Sequence, residues 1–470
     1  MTITFSSPVN SVADHALGNS SRNPPPDSQI YRTKRGLLAA CIVAALGMAS
    51  ANNANAAAAL GAYNANPALN SVSGLSSGGF MAAQLGIAYS GTFKVGFGVF
   101  AGGPDDCARA QSYTSCMYNA SPNIYAPDAD IKSWSGTSAE DTLSNLASRK
   151  IYLWDGSADS TVGPNVMAQL KSQLSAYYTA SNVSSITTSG AVHTFPTDFS
   201  GSGDNSCLSS ISPYISNCSY DGAGAVLQWL YGTLNARNNG TLGGTVVAFD
   251  QTKFVSGNGM DSTGYLYVPA ACASGSTVCS VHVALHGCLQ SYSAIGSDFI
   301  NNTGYNKWAD TNNIIVLYPQ AIADYTSHST PGNGSLSNPN GCWDWVGWYG
   351  SNYDEKGGVQ MAAIVAMLNQ ITSGYKGGGT TTTTAGGTTT TGGGTTTTHA
   401  STSTTTTTTT AQGYTQSVSA TVLAHYLAGR INVTQYNTLG AEYGYLGTVT
   451  LYYCPSLSGW TNHSNCAPLS

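Results

Sequence analysis

The sequence predicts an α/β fold with a mainly parallel sheet between residues 57 and 376. Short apolar runs of strand-forming residues alternate there with segments of helical periodicity. The predicted strands cover residues 69–73, 150–154, 281–285 and 314–318. The predicted helices cover residues 79–89, 164–178 and 359–371, and the second begins with a proline. Alternating strands and helices are typical of α/β domains.

The composition argues against nucleic acid as a partner. The chain has 470 residues, a net charge of −6 and only 8% charged residues, where about 25% is usual. Hydrophobic residues make up 41% of it, enough for a large buried core. Nucleic acid is not expected as a partner, because neutralising its phosphates needs clustered lysines and arginines. A neutral surface is the expected partner.

Residues 1–56 are predicted to be an N-terminal extension with a signal peptide. Arg32, Lys34 and Arg35 precede the apolar run 36–49, and small and polar residues follow it up to Ala56. This order is typical of secretory signals. A membrane anchor would need about 20 apolar residues, and the run has 14. We therefore expect a secreted, extracellular protein without membrane association after cleavage.

The cysteines agree with export. Cys41 lies in the signal segment, and ten of the 11 cysteines follow it. An even number in a secreted chain favours disulfides, although the sequence alone does not prove the pairing. Four close spacings leave one further pair, so the expected bridges are Cys107–Cys116, Cys207–Cys218, Cys272–Cys279, Cys454–Cys466 and Cys288–Cys342. No metal site is predicted, because no CxxC pair or zinc-type histidine spacing accompanies them.

Residues 377–413 are predicted to be a Thr/Gly-rich linker. Between 380 and 410, 21 of 31 residues are threonine, a composition that does not pack a core. The module beyond it, 414–470, contains two charged residues, seven tyrosines and Trp460. Aromatic rings bury apolar area and a tether raises local concentration, so we expect this module to bind an insoluble polymer. A role in stability or secretion is the alternative.

The segment Gly74-Leu75-Ser76-Ser77-Gly78 is the only G-x-S-x-G motif in the chain. It lies between a predicted strand and a predicted helix, as a nucleophile elbow requires. Ser76 would be the nucleophile, and the N–H of Ser77 would face the developing oxyanion. An ordinary glycine-rich turn is the alternative.

The partners of a serine nucleophile follow in the order Asp, His in this fold class. Asp159 lies in a loop after the predicted strand 150–154 and is the expected orienting carboxylate, with Asp155 in reserve. A turn aspartate that caps the next helix is the alternative for Asp159. His193, in a loop beyond the next helix, is the expected general base, and a solvated loop histidine is its alternative.

The run Leu285-His286-Gly287-Cys288 resembles the His-Gly loop that supplies a second oxyanion N–H in esterases. That loop ordinarily precedes the nucleophile, whereas here it follows His193. A circular permutation would explain the order. His282 and His286 could instead be metal ligands, but on a strand they would lie about 13 Å apart.

Five segments together resemble the secreted poly(3-hydroxybutyrate) depolymerases, and most closely the subgroup with a circularly permuted α/β-hydrolase domain. They are Gly-Leu-Ser76-Ser-Gly-Gly-Phe, Asp159-Ser-Thr-Val-Gly-Pro, His193-Thr-Phe-Pro-Thr-Asp, Leu-His-Gly-Cys288-Leu-Gln and Cys342-Trp343-Asp-Trp345. The resemblance covers nearly all of residues 67–375.

The resemblance implies Ser76 as nucleophile, Asp159 as orienting acid, His193 as base and the N–H groups of Ser77 and Cys288 as the oxyanion hole. It also implies a substrate-binding tryptophan at Trp345 or, less directly, Trp343, for both of which core packing is the alternative. The C-terminal module is similar to the family's substrate-binding modules.

The expected function is hydrolysis of insoluble poly(3-hydroxybutyrate) to monomers and short oligomers by a monomeric enzyme without a cofactor. Its expected partner is the polyester surface. A feruloyl or acetylxylan esterase of plant cell walls, with the same elbow and His-Gly features, is the first alternative. A non-catalytic surface-binding relative is the second.

Overall fold

The computed structural model describes residues 57–201, 203–377 and part of the segment 416–466. The predicted signal segment with Cys41, and the threonine-rich tract, lie outside the described residues. Within the described ranges, no helix combines the length and the apolar character that crossing a bilayer requires.

The centre of the larger region is an eight-stranded sheet among the described residues. Its strands are β1 (Ala65–Leu75), β2 (Gly96–Phe100), β3 (Lys150–Gly156), β4 (Val183–Thr188), β8 (Thr245–Asp250), β9 (Thr263–Val268), β10 (Cys279–Leu285) and β11 (Ile314–Tyr318). They lie side by side in the order β4-β3-β2-β1-β10-β11-β9-β8. The first six are parallel, and β9 and β8 pair antiparallel. The expectation of an α/β fold with a mainly parallel sheet is confirmed.

Shorter strands form two small sheets among the connecting segments. One contains β5 (Phe195–Thr197), β6 (Asn205–Ser206) and β7 (Ile215–Asn217). The other is the hairpin of β12 (Asp324–Thr330) and β13 (Gly334–Asn338).

Helices cover both faces of the central sheet. They are α1 (Ser77–Ala88), α2 (Tyr125–Trp134), α3 (Pro164–Ser175), α4 (Gly222–Tyr231), α5 (Ala270–Ala273), α6 (Tyr292–Ile295), α7 (Asp298–Asn302), α8 (Tyr305–Asn312) and α9 (Val359–Thr372). Alternate strand residues enter two separate cores: Val283 packs in the core with α1, α3 and α9, and Ala284 in the core with α4 and α8. Strands buried on both faces explain the continuous apolar runs in the sequence.

The C-terminal segment contains a three-stranded antiparallel sheet in the order β14-β15-β16. Its strands are β14 (Gln416–Thr421), β15 (Thr448–Cys454) and β16 (Gly459–Thr461). A small apolar cluster includes Val422, Leu439 and Leu451, with Trp460 packed against it. Cys454 and Cys466 join in a disulfide.

All five expected disulfides are present, which confirms the predicted pairing. Four of them close loops of 7 to 12 residues. The fifth, Cys288–Cys342, joins residues 54 positions apart and connects the segment after β10 with the segment after β13.

Candidate active site

Loops from four parallel strands meet at one edge of the central sheet. Ser76 follows β1, Asp159 follows β3, His193 follows β4 and Cys288 follows β10. Because parallel strands end on the same side, their carboxyl ends bring together residues that are distant in sequence, and ligands of α/β proteins bind there. Ser76, His193 and Cys288 line one cavity of about 500 Å³.

Two glycines shape the turn that carries Ser76. A Cβ on Gly74 would lie 2.2 Å from the carbonyl oxygen of Gly78, and one on Gly78 would lie 2.5 Å from that of His286. Ser76 itself has φ 57° and ψ −121°, a backbone conformation that residues with a side chain seldom adopt. Such strain persists at functional sites because the surroundings hold it in place. The turn presents Ser76 between the end of β1 and the start of α1.

His193 and Asp159 form a buried pair. His193 Nδ1 lies 2.8 Å from Asp159 Oδ2, and the other carboxylate oxygen accepts the N–H groups of Thr161 and Val162. Burial acts to raise the pKa of Asp159, but these hydrogen bonds and the charge of His193 outweigh it and hold the pKa below its usual value. Asp159 is therefore ionised at neutral pH, and because a carboxylate only accepts hydrogen bonds, Nδ1 of His193 carries a proton. In the neutral form of the ring, Nε2 is then a proton acceptor.

Asp155, the reserve candidate, has different partners. It lies within β3, and its Oδ1 accepts the hydroxyl of Thr187 on the neighbouring strand at 2.9 Å. Burial, with the charge of Asp159, raises its pKa although the Thr187 bond acts in the opposite sense. The structure thus brings Asp159, rather than Asp155, to the histidine.

The loop after β10 is held by buried side chains. His286 Nε2 accepts the N–H of Ala321 at 3.1 Å, so its Nδ1 carries the proton and donates to the Gly287 carbonyl at 2.7 Å. Burial lowers the pKa of His286 to about 4, although the hydrogen bond to Gly287 acts to raise it. The low pKa keeps the ring neutral. Cys288, the residue after Gly287, is fixed by its disulfide to Cys342.

Ser77 begins α1, so its N–H belongs to the first turn, whose donors have no partner within the helix. The residue is buried, and its hydroxyl accepts the N–H of Trp343 at 3.3 Å. Ser76, by contrast, faces the cavity with no such bond among the described contacts.

Trp343 does not form part of the cavity wall, which corrects its assignment as a substrate-binding candidate. Its side chain is fully buried, and its indole N–H donates to the carbonyl of His286 at 2.9 Å. It thereby connects the elbow, through Ser77, with the loop after β10. Core packing, the alternative raised for the tryptophans, is the role it has.

Trp345 does line the cavity. Its ring stacks on Phe80 with centroids 4.3 Å apart and planes 19° apart, and only 5% of the residue is exposed. The buried carboxylate of Asp344 shapes the surrounding turn by accepting N–H groups of residues 346–349. Burial raises the pKa of Asp344 to about 6 although these bonds lower it.

The alternative of a metal pair at His282 and His286 is contradicted. Both ring nitrogens of His282 bond serine hydroxyls, Ser71 at 2.7 Å and Ser73 at 2.8 Å, and burial lowers its pKa to about 3. His286 uses both nitrogens in the bonds described above. Neither ring has a nitrogen left for an ion, and among the described residues no group of three suitable ligands occurs.

Several cavity residues were not predicted from the sequence. They are mostly apolar or uncharged: Tyr113, Met117, Tyr118, Ser210, Tyr214, Leu289, Gln290, Leu336, Asn338 and Trp348. Trp348 follows the Trp343–Trp345 run, and Gln290 ends the quoted Leu-His-Gly-Cys288-Leu-Gln segment, so both had a sequence signal. Among the described lining residues, none carries an aspartate, glutamate, lysine or arginine side chain. Apart from His193, the described cavity wall is thus uncharged.

Comparisons with known proteins identify relatives, although no family model matches the chain. Over 322 residues, 68% of this chain and 95% of the relative, it is 69% identical to the polyhydroxybutyrate depolymerase of Talaromyces funiculosus. Over 350 residues, 72% of this chain and 67% of the relative, it is 42% identical to the poly(3-hydroxybutyrate) depolymerase of Delftia acidovorans. A stretch of 58 residues, 12% of this chain and 14% of the relative, is 72% identical to poly(3-hydroxyalkanoate) depolymerase C of Paucimonas lemoignei.

Two solved structures are also similar. One is the crystal structure of PHB depolymerase from Penicillium funiculosum, and the other is a PHB depolymerase with one serine replaced by alanine, complexed with an R3HB trimer. Each has a TM-score of 0.67 and 69% sequence identity, and each match covers 68% of this chain and 100% of the other.

Proposed function

Because the chain belongs to the polyhydroxybutyrate depolymerase family, a family of carboxylic ester hydrolases, we propose that it degrades insoluble poly(3-hydroxybutyrate) outside the cell through a Ser76–His193–Asp159 triad. The observation that carries this proposal is the cavity that joins Ser76 and His193 to a neutral, aromatic wall. An uncharged polyester chain suits such a wall, since it has ester carbonyls and apolar methyl groups but no charge.

In the proposed reaction, His193 Nε2 takes the proton of Ser76 Oγ as this oxygen attacks an ester carbonyl carbon. Asp159 holds the ring in the required tautomer and stabilises the imidazolium that forms. The imidazolium then gives its proton to the leaving alkoxide, and an acyl-enzyme remains on Ser76. Water, activated by the same nitrogen, releases the hydroxyacid or oligomer and restores Ser76.

The negative charge of the tetrahedral intermediate needs donors. We assign them to the N–H groups of Ser77, at the start of α1, and of Cys288, in the loop after β10. A disulfide, a neutral His286 and the Trp343 indole hold these two segments. Donors fixed in advance in this way stabilise developing charge without reorganisation.

Substrate contact on the cavity wall is assigned to Trp345. Its ring is held against Phe80 and faces the same cavity as Ser76. The complex of a relative with an R3HB trimer supports binding of a short stretch of polyester in this cavity.

The topology supports a circularly permuted α/β-hydrolase. β10, which carries the His-Gly loop, lies beside β1 in the sheet although it follows the elbow in the chain.

For the segment 414–470 we propose polymer adsorption. The 58-residue match to a poly(3-hydroxyalkanoate) depolymerase has about the length of this segment.

The test is clearing of a turbid suspension of poly(3-hydroxybutyrate) granules by the purified full chain, with release of 3-hydroxybutyrate. Feruloylated and acetylated xylan serve as comparison substrates. Faster hydrolysis of either xylan ester than of granules would favour the cell-wall esterase. Absence of covalent labelling of Ser76 by a fluorophosphonate would favour the non-catalytic relative.

A further inference from the structure

Gln290 is a buried side chain with every polar atom in use. Only 1% of the residue is exposed. Its Oε1 accepts the N–H of Gly287 at 2.8 Å, and its Nε2 donates to the carbonyls of Pro213 at 2.8 Å and Tyr214 at 3.1 Å. The amide orientation follows from these partners, because an N–H and two carbonyls require the oxygen on one side and the nitrogen on the other.

The segment that Gln290 reaches is itself bonded to both sides of His193. The carbonyl of Tyr214 also accepts the N–H of Phe195 at 2.9 Å, and the carbonyl of Cys207 accepts that of Val192 at 3.1 Å. The hydroxyl of Ser210 donates to the carbonyl of His193 at 3.2 Å. The loop between Cys207 and its disulfide partner Cys218 therefore supports the histidine along its backbone.

The other end of Gln290 supports the loop that presents Cys288. Gly287 immediately precedes Cys288, and a Cβ at Gly287 would lie 2.8 Å from Gln290 Oε1. The glycine thus lets the amide approach the backbone closely. One side chain consequently joins the segment that holds the base to the segment that holds an oxyanion donor.

We propose that Gln290 is a positioning residue that fixes the Cys288 N–H relative to His193. This inference rests on the proposed function, since it assumes that Cys288 donates to the oxyanion. Donors to a forming oxyanion tolerate little displacement, and a misplacement of 1 Å can cost about 100-fold in rate. Gln290 should therefore affect the transition state while leaving binding of the substrate in its ground state nearly unchanged.

The test compares Gln290→Met with the wild type on p-nitrophenyl butyrate, a soluble ester. Methionine keeps the approximate volume and removes all three hydrogen bonds. We expect kcat to fall about 10- to 100-fold and KM to change by less than about threefold. The inhibition constant for butylboronic acid, which forms a tetrahedral adduct with the serine, should rise in parallel with the loss in kcat.

Two further variants separate positioning from general loss of structure. Gln173→Met removes a buried glutamine that makes two backbone hydrogen bonds to Asp105 and does not line the cavity, and its kcat should stay near wild type. Gln290→Asn keeps the amide oxygen and N–H groups but ends one methylene short of Gly287, Pro213 and Tyr214. Its kcat should lie between wild type and Gln290→Met, and it provides the test if the methionine variant does not fold.

The outcomes distinguish the inference from the proposed function. A Gln290 variant with wild-type kcat and boronic acid affinity, or one whose loss lies in KM, would overturn the positioning role alone. Equal losses in Gln290→Met and Gln173→Met would overturn it as well. A wild-type protein that neither hydrolyses the ester nor binds the boronic acid would overturn the proposed function, and the positioning role with it.

Discussion

Ser76 and Ser77 are adjacent serines with different surroundings. Ser76 occupies the strained turn and faces the cavity, whereas the hydroxyl of Ser77 is bonded to the Trp343 backbone. We expect Ser76→Ala to lower kcat on p-nitrophenyl butyrate by several decades. Ser77→Ala should retain most activity and lose about 1 kcal/mol of stability, measured by urea unfolding. A larger loss of activity in Ser77→Ala than in Ser76→Ala would make Ser77 the nucleophile.

Asp159 and Asp155 are two nearby aspartates with different hydrogen-bond partners: Asp159 contacts His193, and Asp155 contacts Thr187. Asp159→Asn should lower kcat by about 10⁴-fold without unfolding the protein, because the amide favours the wrong tautomer of His193. Asp155→Asn should lose less activity, since Asp155 bonds Thr187 instead of the histidine. Kinetics on the soluble ester, with circular dichroism as the control for folding, rank the two. A larger loss for Asp155→Asn would transfer the orienting role to it.

Glu140 lies in an acidic cluster with Asp105, Asp106 and Asp354, in which Arg109 pairs with Asp106 and Asp354. Neither carboxylate oxygen of Glu140 has a hydrogen-bond partner among the described residues. Burial and the neighbouring negative charges raise the pKa of Glu140 to about 10. A carboxyl group has a pKa of about 4.3 in an unfolded chain. The folded state therefore holds a proton that the unfolded state releases at neutral pH.

The stability contribution of a group with a raised pKa is complete below the unfolded value and declines as the pH approaches the folded value. For Glu140 this range extends from about pH 4.3 to about 10. We expect Glu140→Gln, which needs no proton, to reduce the fall in Tm between pH 5 and pH 9 by about 3 °C or more. Glu355→Gln, at the partly exposed side of the cluster, should change this difference in Tm less. If Glu140→Gln leaves the fall in Tm between pH 5 and pH 9 unchanged, Glu140 is ionised in the folded state.

At the scale of elements, the buried strands were the most predictable. The predicted strands at 150–154, 281–285 and 314–318 are mainly apolar runs, because both faces of the parallel sheet are covered by helices. The hairpin β12–β13 was not predicted, since its residues are mainly serine, threonine, asparagine and glycine and its pairing depends on tertiary context. Helix α1 begins at Ser77 rather than at the predicted residue 79, because the elbow places the helix directly after Ser76.

The candidate site was predictable where a local motif carries it and not where contacts span the chain. Ser76, Asp159, His193 and Cys288 each lie in a recognisable loop after a strand. The roles of Gln290 and Trp343 depend on partners distant in sequence, such as Pro213 and His286. No local pattern encodes those contacts.

The Cys288–Cys342 disulfide joins two elements of the site, and Asn338 holds Cys342 through two hydrogen bonds. Replacing both cysteines by serine should lower kcat on the soluble ester about tenfold or more, because the Cys288 N–H loses its restraint. The same double replacement at Cys272 and Cys279, in a pair outside the cavity lining, is the matched control. Equal activities in the two variants would show that the Cys288–Cys342 disulfide does not restrain the oxyanion donor.

At the scale of the whole molecule, the comparisons confirm the family resemblance. The circular permutation and the role of the C-terminal segment stay proposals. The residues to which we assign catalysis all precede the threonine-rich tract, so we expect the chemistry not to require the C-terminal segment.

A chain truncated after Gly378 should therefore keep its kcat on p-nitrophenyl butyrate within about twofold of the full chain. Its rate on granules should fall about tenfold or more, because tethering raises effective concentration only where the substrate is a surface. Parallel assays on both substrates decide the matter. Equal losses would make the segment part of the catalytic fold, and no loss on granules would remove its role in adsorption.

The position of β1 in the sheet also affects how the chain is synthesised. One edge of β1 pairs with β2, which comes soon after it in the chain, but the other pairs with β10, and 210 positions separate Leu75 from Leu285. At 5–20 residues per second, that interval takes on the order of 10 to 40 s on the ribosome. Throughout it, β1, which leads into Ser76, would present a row of unpaired backbone groups, which is the kind of edge that pairs with other chains. The centre of the finished sheet is therefore the aggregation-prone margin of the growing polypeptide.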